Sequence, residues 1–148
     1  MMSGDVIRFS AEHIPKAARI EAETFSEGWG EESLKLLLRE EYPSFAICDK
    51  EELVAYVGTS RSLDELQILT VAVDAHARRK GFARKLMGAL DKYSAENAIF
   101  SISLEVRESN TAAISLYESC GYKIAGVRKN FYRFPTENAL VMIKNFDD

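Results

Sequence analysis

A dense basic run separates an apolar segment from an amphipathic one. Five positive charges occupy eight positions without an acid: Arg78, Arg79, Lys80, Arg84 and Lys85. Gly81 and Ala83 stand in the first turn of the helix predicted to follow, where little side-chain bulk covers the unpaired backbone N–H groups. A helix N-terminus of this kind, at the positive end of the helix dipole, binds phosphate groups. The run is therefore either an anion site or a solvated basic loop.

A glutamate and a tyrosine further along the chain could move protons. Glu105 falls on the polar side of a strand-like alternation whose apolar positions are Phe100, Ile102, Leu104 and Val106. A glutamate there is either solvated or paired, or it faces a cleft as a general base. Tyr117 has helical spacing from Ala113 and Ile114, which is typical of a core residue, although a buried tyrosine hydroxyl usually finds a polar partner.

Metal and nucleotide motifs are absent from the sequence. His13 and His76 stand alone, and we expect both on the surface and no metal. Two cysteines form neither a disulfide framework nor a CxxC pair, which fits a reducing cytoplasm. No GxxxxGK[ST] occurs, and Gly28-Trp29-Gly30 lacks the third glycine of a dinucleotide fingerprint. Nucleotide hydrolysis and nicotinamide binding are thereby disfavoured.

Apolar periodicity predicts the elements that hold these residues. Strands are predicted at 6–9, 45–48, 53–59, 66–73, 100–106, 122–127 and 140–143, and helices at 14–25, 31–40 and 81–95. A short fourth helix should begin at a cap formed by Ser109 or Asn110 and end before Gly121. The order of strand, helix and strand over 66–106 predicts a crossover between two parallel strands. We expect one α/β domain over 1–148, with a mixed sheet and helices on both faces.

Charge is unevenly distributed. The chain has 19 Lys and Arg against 23 Asp and Glu, a net charge of −4, and this whole excess lies in residues 1–41. The net acidity argues against a nucleic-acid partner. The charge-free runs are far shorter than the ~20 residues of a membrane helix, so no membrane partner is predicted either.

Two motifs carry a family resemblance. Arg78-Arg79-Lys80-Gly81-Phe82-Ala83 fits the [QR]-x-x-G-x-[GA] signature of the GNAT N-acetyltransferase superfamily. The segment from Leu104 to Tyr122 closely resembles the "LEVR-x-SN-x-AAI-x-LYE-x-x-GF" stretch of ribosomal-protein alanine N-acetyltransferases, which acetylate protein N-termini. Residues 128–132 and 138–139 continue the likeness to the "RxNYY…DA" ending of that group. The resemblance is strong from about residue 66 to 143 and general before that.

The resemblance implies a GNAT-type fold in which acetyl-CoA lies where two parallel central strands splay apart. Its pantetheine should pair with the backbone of Val71, Ala72 and Val73. Its pyrophosphate should rest on the segment after that strand, at Arg78, Arg79, Lys80, Gly81, Phe82, Ala83 and Arg84. Asn110 matches an asparagine near the cofactor, Glu105 the general base and Tyr117 the general acid.

The acceptor side departs from the family pattern. The family usually has a Pro-Trp pair after its first helix, where this chain has Gly28-Trp29-Gly30, and "NYY" reads Asn130-Phe131-Tyr132. Trp29 and Tyr132 are still the predicted acceptor contacts. We expect acetyl transfer to a primary amine, above all a protein N-terminus, with a small amine, amino acid or lysine as the alternative. A CoA-binding module without turnover is a further alternative. The acidic residues 1–41 suggest a cationic acceptor.

Overall fold

Seven β-strands and four α-helices follow one another in the computed structural model, which describes residues 3–146. The strands are β1 (Val6–Arg8), β2 (Ser44–Asp49), β3 (Glu52–Ser62), β4 (Glu65–Val73), β5 (Ser101–Arg107), β6 (Lys123–Tyr132) and β7 (Glu137–Asn145). The helices are α1 (Ile14–Thr24), α2 (Glu31–Leu34), α3 (Phe82–Glu96) and α4 (Thr111–Ser119). Short 3-10 turns occupy Ala11–His13, Lys35–Leu38 and Ala75–Ala77. Within residues 3–146, no helix is long and apolar enough to cross a membrane.

All seven strands form one mixed sheet in the order β1-β2-β3-β4-β5-β7-β6. The pair β4 and β5, joined through α3, is parallel, and every other neighbouring pair is antiparallel. This confirms the crossover and the mixed α/β fold predicted from the sequence. The parallel pair brings the C-terminal ends of β4 and β5 to the same edge of the sheet, where the predicted site residues follow.

Successive strand residues divide the core into two layers, one on each face of the sheet. Ala46 and Tyr56 pack with α1 and α2, whereas their neighbours Ile47 and Val57 pack with α3 and α4. The alternation is the period of 2 that a pleated strand imposes on its side chains. Helices therefore cover both faces, as predicted.

The parallel pair β4 and β5 is joined only at its beginning. Hydrogen-bonded register runs through three positions and ends at Gln67↔Ser103, after which the two strands separate. The pairing of β4 with β3 also skips Leu69, so Ile68 packs on the α3 side whereas Thr70 contacts Glu21 of α1. A bulge of this type bends its strand and interrupts the ladder. Beyond Gln67, the β5-facing backbone of β4 therefore lies along an open gap.

Three local expectations were wrong. The predicted helix 31–40 is α-helical only to Leu34 and then continues as a 3-10 turn. A 3-10 turn repeats every three residues, so the side chains of Leu34 and Leu37 leave the same side of it, and both are buried. Leu38, which helical spacing predicts on the same apolar face as Leu34 and Leu37, is exposed. Phe100 precedes β5 and is exposed, so it does not share the core face of that strand.

His13 is buried, although a surface position was expected. Its Nδ1 accepts the Ser10 N–H at 2.9 Å, and its ring lies 5.6 Å from that of Phe9. Burial lowers the pKa of His13, which favours the neutral ring. This histidine fixes the turn that leads into α1, whereas His76 is exposed as predicted.

Candidate active site

A cleft of about 1210 Å³ lies where β4 and β5 separate. At one end it is walled by β4, the turn after β4 and the start of α3. At the other end it is walled by the loop between α1 and α2 and by the hairpin that joins β6 to β7. Of the residues predicted for the site, the lining includes Trp29, Val71, Ala72, Val73, Arg78, Arg79, Gly81, Phe82, Ala83, Arg84, Glu105, Asn110, Tyr117 and Tyr132. Lys80 is exposed and does not line the cleft.

The turn after β4 is shaped by a partly buried ion pair and a glycine. Asp74 accepts the His76 N–H at 3.2 Å and meets Lys16 Nζ at 2.9 Å, and the hydrogen bond from Lys16 lowers the pKa of Asp74. Gly81 begins α3 with a φ of 79°, a left-handed conformation that glycine adopts without steric cost. A Cβ at Gly81 would meet no atom within 4 Å. The free N–H groups in the first turn of α3 are therefore accessible from the cleft.

Three arginines surround this helix start. Arg78 Nε donates to Val73 O at 3.4 Å, and Arg84 Nη2 donates to Ser119 Oγ at 2.9 Å, which ties the start of α3 to the end of α4. Arg79 is exposed. Within residues 3–146 these three guanidinium groups form no ion pair with a carboxylate. Their charge and the positive end of the α3 dipole act together at this end of the cleft.

Glu105 projects from β5 into the middle of the cleft. Leu104 and Val106 on either side are buried in the core, so the polar orientation predicted for Glu105 is confirmed. Its side chain is 16% exposed; Oε1 accepts from Gln67 Nε2 at 3.2 Å and Oε2 meets Arg128 Nε at 2.9 Å. These two contacts fix the orientation of a carboxylate that remains accessible from the cleft.

Tyr117 on α4 is 7% exposed, and its ring packs 6.0 Å from that of Tyr122. Burial raises the pKa of Tyr117 to about 12, so the hydroxyl keeps its proton at neutral pH. Within residues 3–146 that hydroxyl forms no hydrogen bond, and Tyr117 lines the cleft. It is therefore a proton donor available to a molecule in the cleft. Asn110 caps the same helix, because its Oδ1 accepts the Ala113 N–H at 3.2 Å.

Tyr132 and Trp29 line the end of the cleft away from α3. Tyr132 is half-buried, and burial together with the nearby Glu105 carboxylate raises its pKa to about 12. Trp29 is also half-buried, and its backbone N–H donates to Glu21 Oε1 at 2.9 Å. The two predicted acceptor residues thus face the cleft from separate segments.

Glu21 is a site residue that sequence reasoning missed. It is 1% exposed and also accepts hydrogen bonds from Tyr56 OH and Thr70 Oγ1, at 2.5 and 2.6 Å. The available signal was its spacing, since Glu21 follows Ala17 by four residues on the apolar stripe of α1. An acid on that stripe must be paired or hydrogen-bonded, and here it fastens the loop after α1 to β3 and β4.

No metal centre is visible in the described part of the chain. Among residues 3–146, no three His, Cys, Asp or Glu side chains gather closely enough to hold an ion. The cleft presents backbone N–H groups, arginines, the Glu105 carboxylate and tyrosine hydroxyls.

Comparison with known proteins decides the family. The Acetyltransferase (GNAT) family matches residues 14–122. The chain belongs to the GNAT acetyltransferase family. Its relatives include the [ribosomal protein bS18]-alanine N-acetyltransferase of Escherichia coli strain K12, which is 34% identical over 133 residues, 87% of this chain and 88% of that protein. The putative enzyme of that name in Bacillus subtilis strain 168 is 32% identical over 88% of each chain.

Solved structures show the same GNAT fold. The crystal structure of the ribosomal-protein-S18-alanine N-acetyltransferase from Escherichia coli has a TM-score of 0.91 and 29% identity, covering 97% of this chain and 94% of that one. Arabidopsis thaliana NAA60 in complex with acetyl-CoA has a TM-score of 0.88 and 18% identity, covering 96% of this chain and 99% of that one. The protein is accordingly an N-acetyltransferase of the GNAT family.

Proposed function

We propose that this acetyltransferase moves the acetyl group of acetyl-CoA to the N-terminal α-amine of a protein. The observation that carries the proposal is the single cleft that joins an anion site at α3 to an accessible carboxylate and a protonated tyrosine. The relatives named for acetylating the alanine of ribosomal protein bS18 support this acceptor class.

The cofactor end fits acetyl-CoA chemically. Beyond Gln67, β4 no longer pairs with β5, and Val71, Ala72 and Val73 line the cleft along that open edge, which suits the amide groups of pantetheine. The open glycine at the start of α3 and the arginines beside it suit a pyrophosphate. Acetyl-CoA supplies the acetyl group as a thioester. Backbone N–H groups of the open strand stabilise the negative charge that develops on the thioester oxygen.

Glu105 is the proposed general base. The attacking amine must be neutral, and an α-amine with a pKa of about 7.7–8.0 is roughly a tenth neutral near pH 7, whereas lysine at ~10.4 is less than a thousandth neutral. Glu105, directly or through one water molecule, accepts the proton that the amine loses as its nitrogen bonds to the acetyl carbon. Gln67 and Arg128 keep the carboxylate aimed while this happens.

Tyr117 is the proposed general acid. As the carbon–sulfur bond breaks, the tyrosine donates its proton to the departing sulfur, and solvent later restores both side chains to their resting forms. The position of Tyr117 in the lining of the cleft and the raised pKa that keeps its hydroxyl protonated support the role. Trp29 and Tyr132 are proposed to contact the acceptor, and Asn110 to lie beside the cofactor.

The test is a panel of acceptors incubated with acetyl-CoA and read by mass spectrometry. The panel contains peptides with free N-termini, the same peptides with blocked N-termini and an internal lysine, polyamines, and free amino acids. Acetylation of free N-termini alone is expected. Acetylation confined to lysine or small amines would favour the alternative acceptor class, and acetyl-CoA binding without any product would favour a CoA-binding module.

Two variants distinguish loss of the proposed base from loss of a neighbouring carboxylate outside the cleft. Glu105→Gln should lower turnover by about 10²–10⁴-fold, the usual contribution of a general base, while the affinity for acetyl-CoA stays unchanged. Glu108→Gln removes an exposed carboxylate three residues away, outside the cleft, and should retain full turnover. Equal turnover in both variants would remove Glu105 from the mechanism.

The acidic residues 1–41 lead to a separate hypothesis about acceptor charge. Glu21, Glu27 and Trp29 of this segment line the acceptor end of the cleft. Peptides with basic residues after the N-terminus should therefore react faster at low salt than acidic ones, and salt should reduce the difference. Equal rates for both peptides at low salt would leave the uneven charge without a role in acceptor choice.

A further inference from the structure

Arg107 of β5 connects two other segments at the proposed acceptor end of the cleft, the β6–β7 hairpin and the loop between α1 and α2. Its Nη1 donates to Pro135 O at 2.9 Å and to Glu137 Oε1 at 3.2 Å. Its Nη2 donates to Arg133 O at 2.8 Å and to Ser26 Oγ at 3.2 Å. One side chain of β5 thus holds the turn of the β6–β7 hairpin and the loop between α1 and α2. The planar guanidinium, with donors in a fixed fork, suits such a set of acceptors better than a lysine.

The same guanidinium stacks on a proposed acceptor contact. Its carbon lies 4.5 Å from the centre of the Tyr132 ring, within the range of a cation–π interaction. Arg107 and Glu105 are two residues apart on β5, so their side chains leave the same face of the sheet. Arg107 therefore holds Tyr132 on the face from which Glu105 enters the cleft.

Apart from those of Arg107, the hydrogen bonds and ion pairs that join the two segments within residues 3–146 are exposed. Arg133 pairs with Glu27 at 3.2 and 3.3 Å, and the Ser26 hydroxyl donates to Arg133 O at 3.2 Å. Ion pairs on the surface contribute little, because water and salt screen them. Glu137, in contrast, accepts the Ser109 N–H at 2.6 Å as well as Arg107, which anchors the Arg107 contacts to the start of α4.

We propose that Arg107 is a positioning residue that holds the hairpin turn 133–137 and the loop 25–30 together over the acceptor end, and thereby sets the KM for the acceptor amine. Arg107 acts through Tyr132 and through the two segments, without taking part in proton transfer. The proposal rests on the proposed function only in identifying this end of the cleft as the acceptor side. The physical coupling of the two segments can be tested without any acceptor.

The matched control is Arg61, which has a similar set of contacts at the other end of the sheet. It donates to Tyr93 OH, Asn97 and Leu63 O, and its guanidinium carbon lies 5.9 Å from the Tyr93 ring centre. Arg61 does not line the cleft. Arg61→Met therefore removes comparable hydrogen bonds and a comparable ring contact without touching the acceptor end.

The first measurement is hydrogen exchange on the free protein. Arg107→Met should speed exchange at least tenfold in both 25–30 and 133–137, whereas Arg61→Met should leave both segments unchanged. Acrylamide quenching of Trp29, the only tryptophan of the chain, should increase in Arg107→Met alone. Unchanged exchange in either segment of Arg107→Met would overturn the proposed coupling, whatever the acceptor is.

The second measurement is steady-state kinetics with an acceptor found in the panel. Arg107→Met should raise the acceptor KM at least tenfold while kcat changes less than threefold and the acetyl-CoA Kd stays the same. Arg107→Lys, which can reach Glu137 but not all four acceptors, should fall between the wild type and Arg107→Met. An unchanged KM together with faster exchange would refute the acceptor role. If no acceptor is found, the proposed function fails, and the exchange data still decide the coupling.

Discussion

Replacing Glu21 by alanine should lower the free energy of unfolding by about 3–5 kcal/mol, because it leaves three hydrogen-bond donors of a buried network without their acceptor. The Glu21 carboxylate accepts three hydrogen bonds in a site that is 1% exposed. Each bond to a charged group contributes about 1.5–3 kcal/mol, so the gross loss is about 4.5–9 kcal/mol. Part of this is offset, because the alanine variant no longer holds a charge away from water.

Urea denaturation and thermal unfolding measure this effect. For a chain of this length, a change of 1 kcal/mol shifts the Tm by about 2–4 °C, so the Tm of Glu21→Ala should fall by about 6–20 °C. Glu23→Ala, at an exposed position on the same helix, should change the free energy by no more than about 0.5 kcal/mol. Tyr56→Phe removes one of the three donors and should cost about 1–2 kcal/mol.

Glu21→Gln provides the sharper comparison, since it keeps the shape and removes the charge. The amide oxygen can accept the fixed Trp29 N–H, while the hydroxyls of Tyr56 and Thr70 can rotate to accept from the amide nitrogen. A smaller loss of about 1–2 kcal/mol is expected, as neutral hydrogen bonds replace charge-assisted ones. If the free energy of unfolding of Glu21→Ala lies within about 1 kcal/mol of the wild-type value at an unchanged m-value, the carboxylate does not anchor the loop after α1.

Further variants test the cofactor and catalytic positions. Gly81→Glu should abolish acetyl-CoA binding in calorimetry, because it adds bulk and negative charge at the open start of α3 and strains a backbone φ of 79°. The control is Gly88→Glu on the same helix, where a Cβ also meets open space, and this variant should bind acetyl-CoA normally. Tyr117→Phe should slow turnover without weakening acetyl-CoA binding, and the pKa of about 12 predicts that the wild type loses no rate to ionisation of Tyr117 below pH 10. Wild-type turnover in Tyr117→Phe would exclude the tyrosine as the acid. Asn110→Ala should cost about 1 kcal/mol in urea denaturation through loss of the α4 cap, and an unchanged midpoint would contradict the cap.

Most of the fold could be predicted because local periodicity and capping agree with the tertiary structure. The alternation in β5, the helix after Gly81 and the capped α4 are each set by residues close together in the chain. Elements whose geometry depends on distant partners were less accurate. The helix after Glu31 tightens into a 3-10 turn, where Leu37 packs so closely on Gly58 that a Cβ there would lie 2.7 Å from its Cδ1.

The proposed cofactor half of the cleft has a local signal in the sequence that the proposed acceptor half lacks. A glycine and free N–H groups at a helix start bind anions through local backbone geometry, so a short motif is sufficient to locate them. The acceptor end is assembled from segments far apart in the chain, and Arg107 meets Ser26 across 81 positions. No spacing rule connects such residues, which is why Arg107 was not identified from the sequence, whereas the spacing of Glu21 on the apolar stripe of α1 was a signal that was missed.

The sequence by itself determined the α/β class, the crossover between parallel strands, and the residue types at the centre of the cleft, since each follows from a repeat or motif of local origin. Only the tertiary structure decided that β4 and β5 part after Gln67 and that Leu69 is skipped in the sheet register. It also decided which charges are paired. Arg128 meets Glu105 and Arg107 meets Glu137, whereas the arginines at α3 have no acidic partner within residues 3–146. Hydrogen bonds and ion pairs depend on the approach of atoms within a few ångströms, and chain folding alone brings such distant residues together.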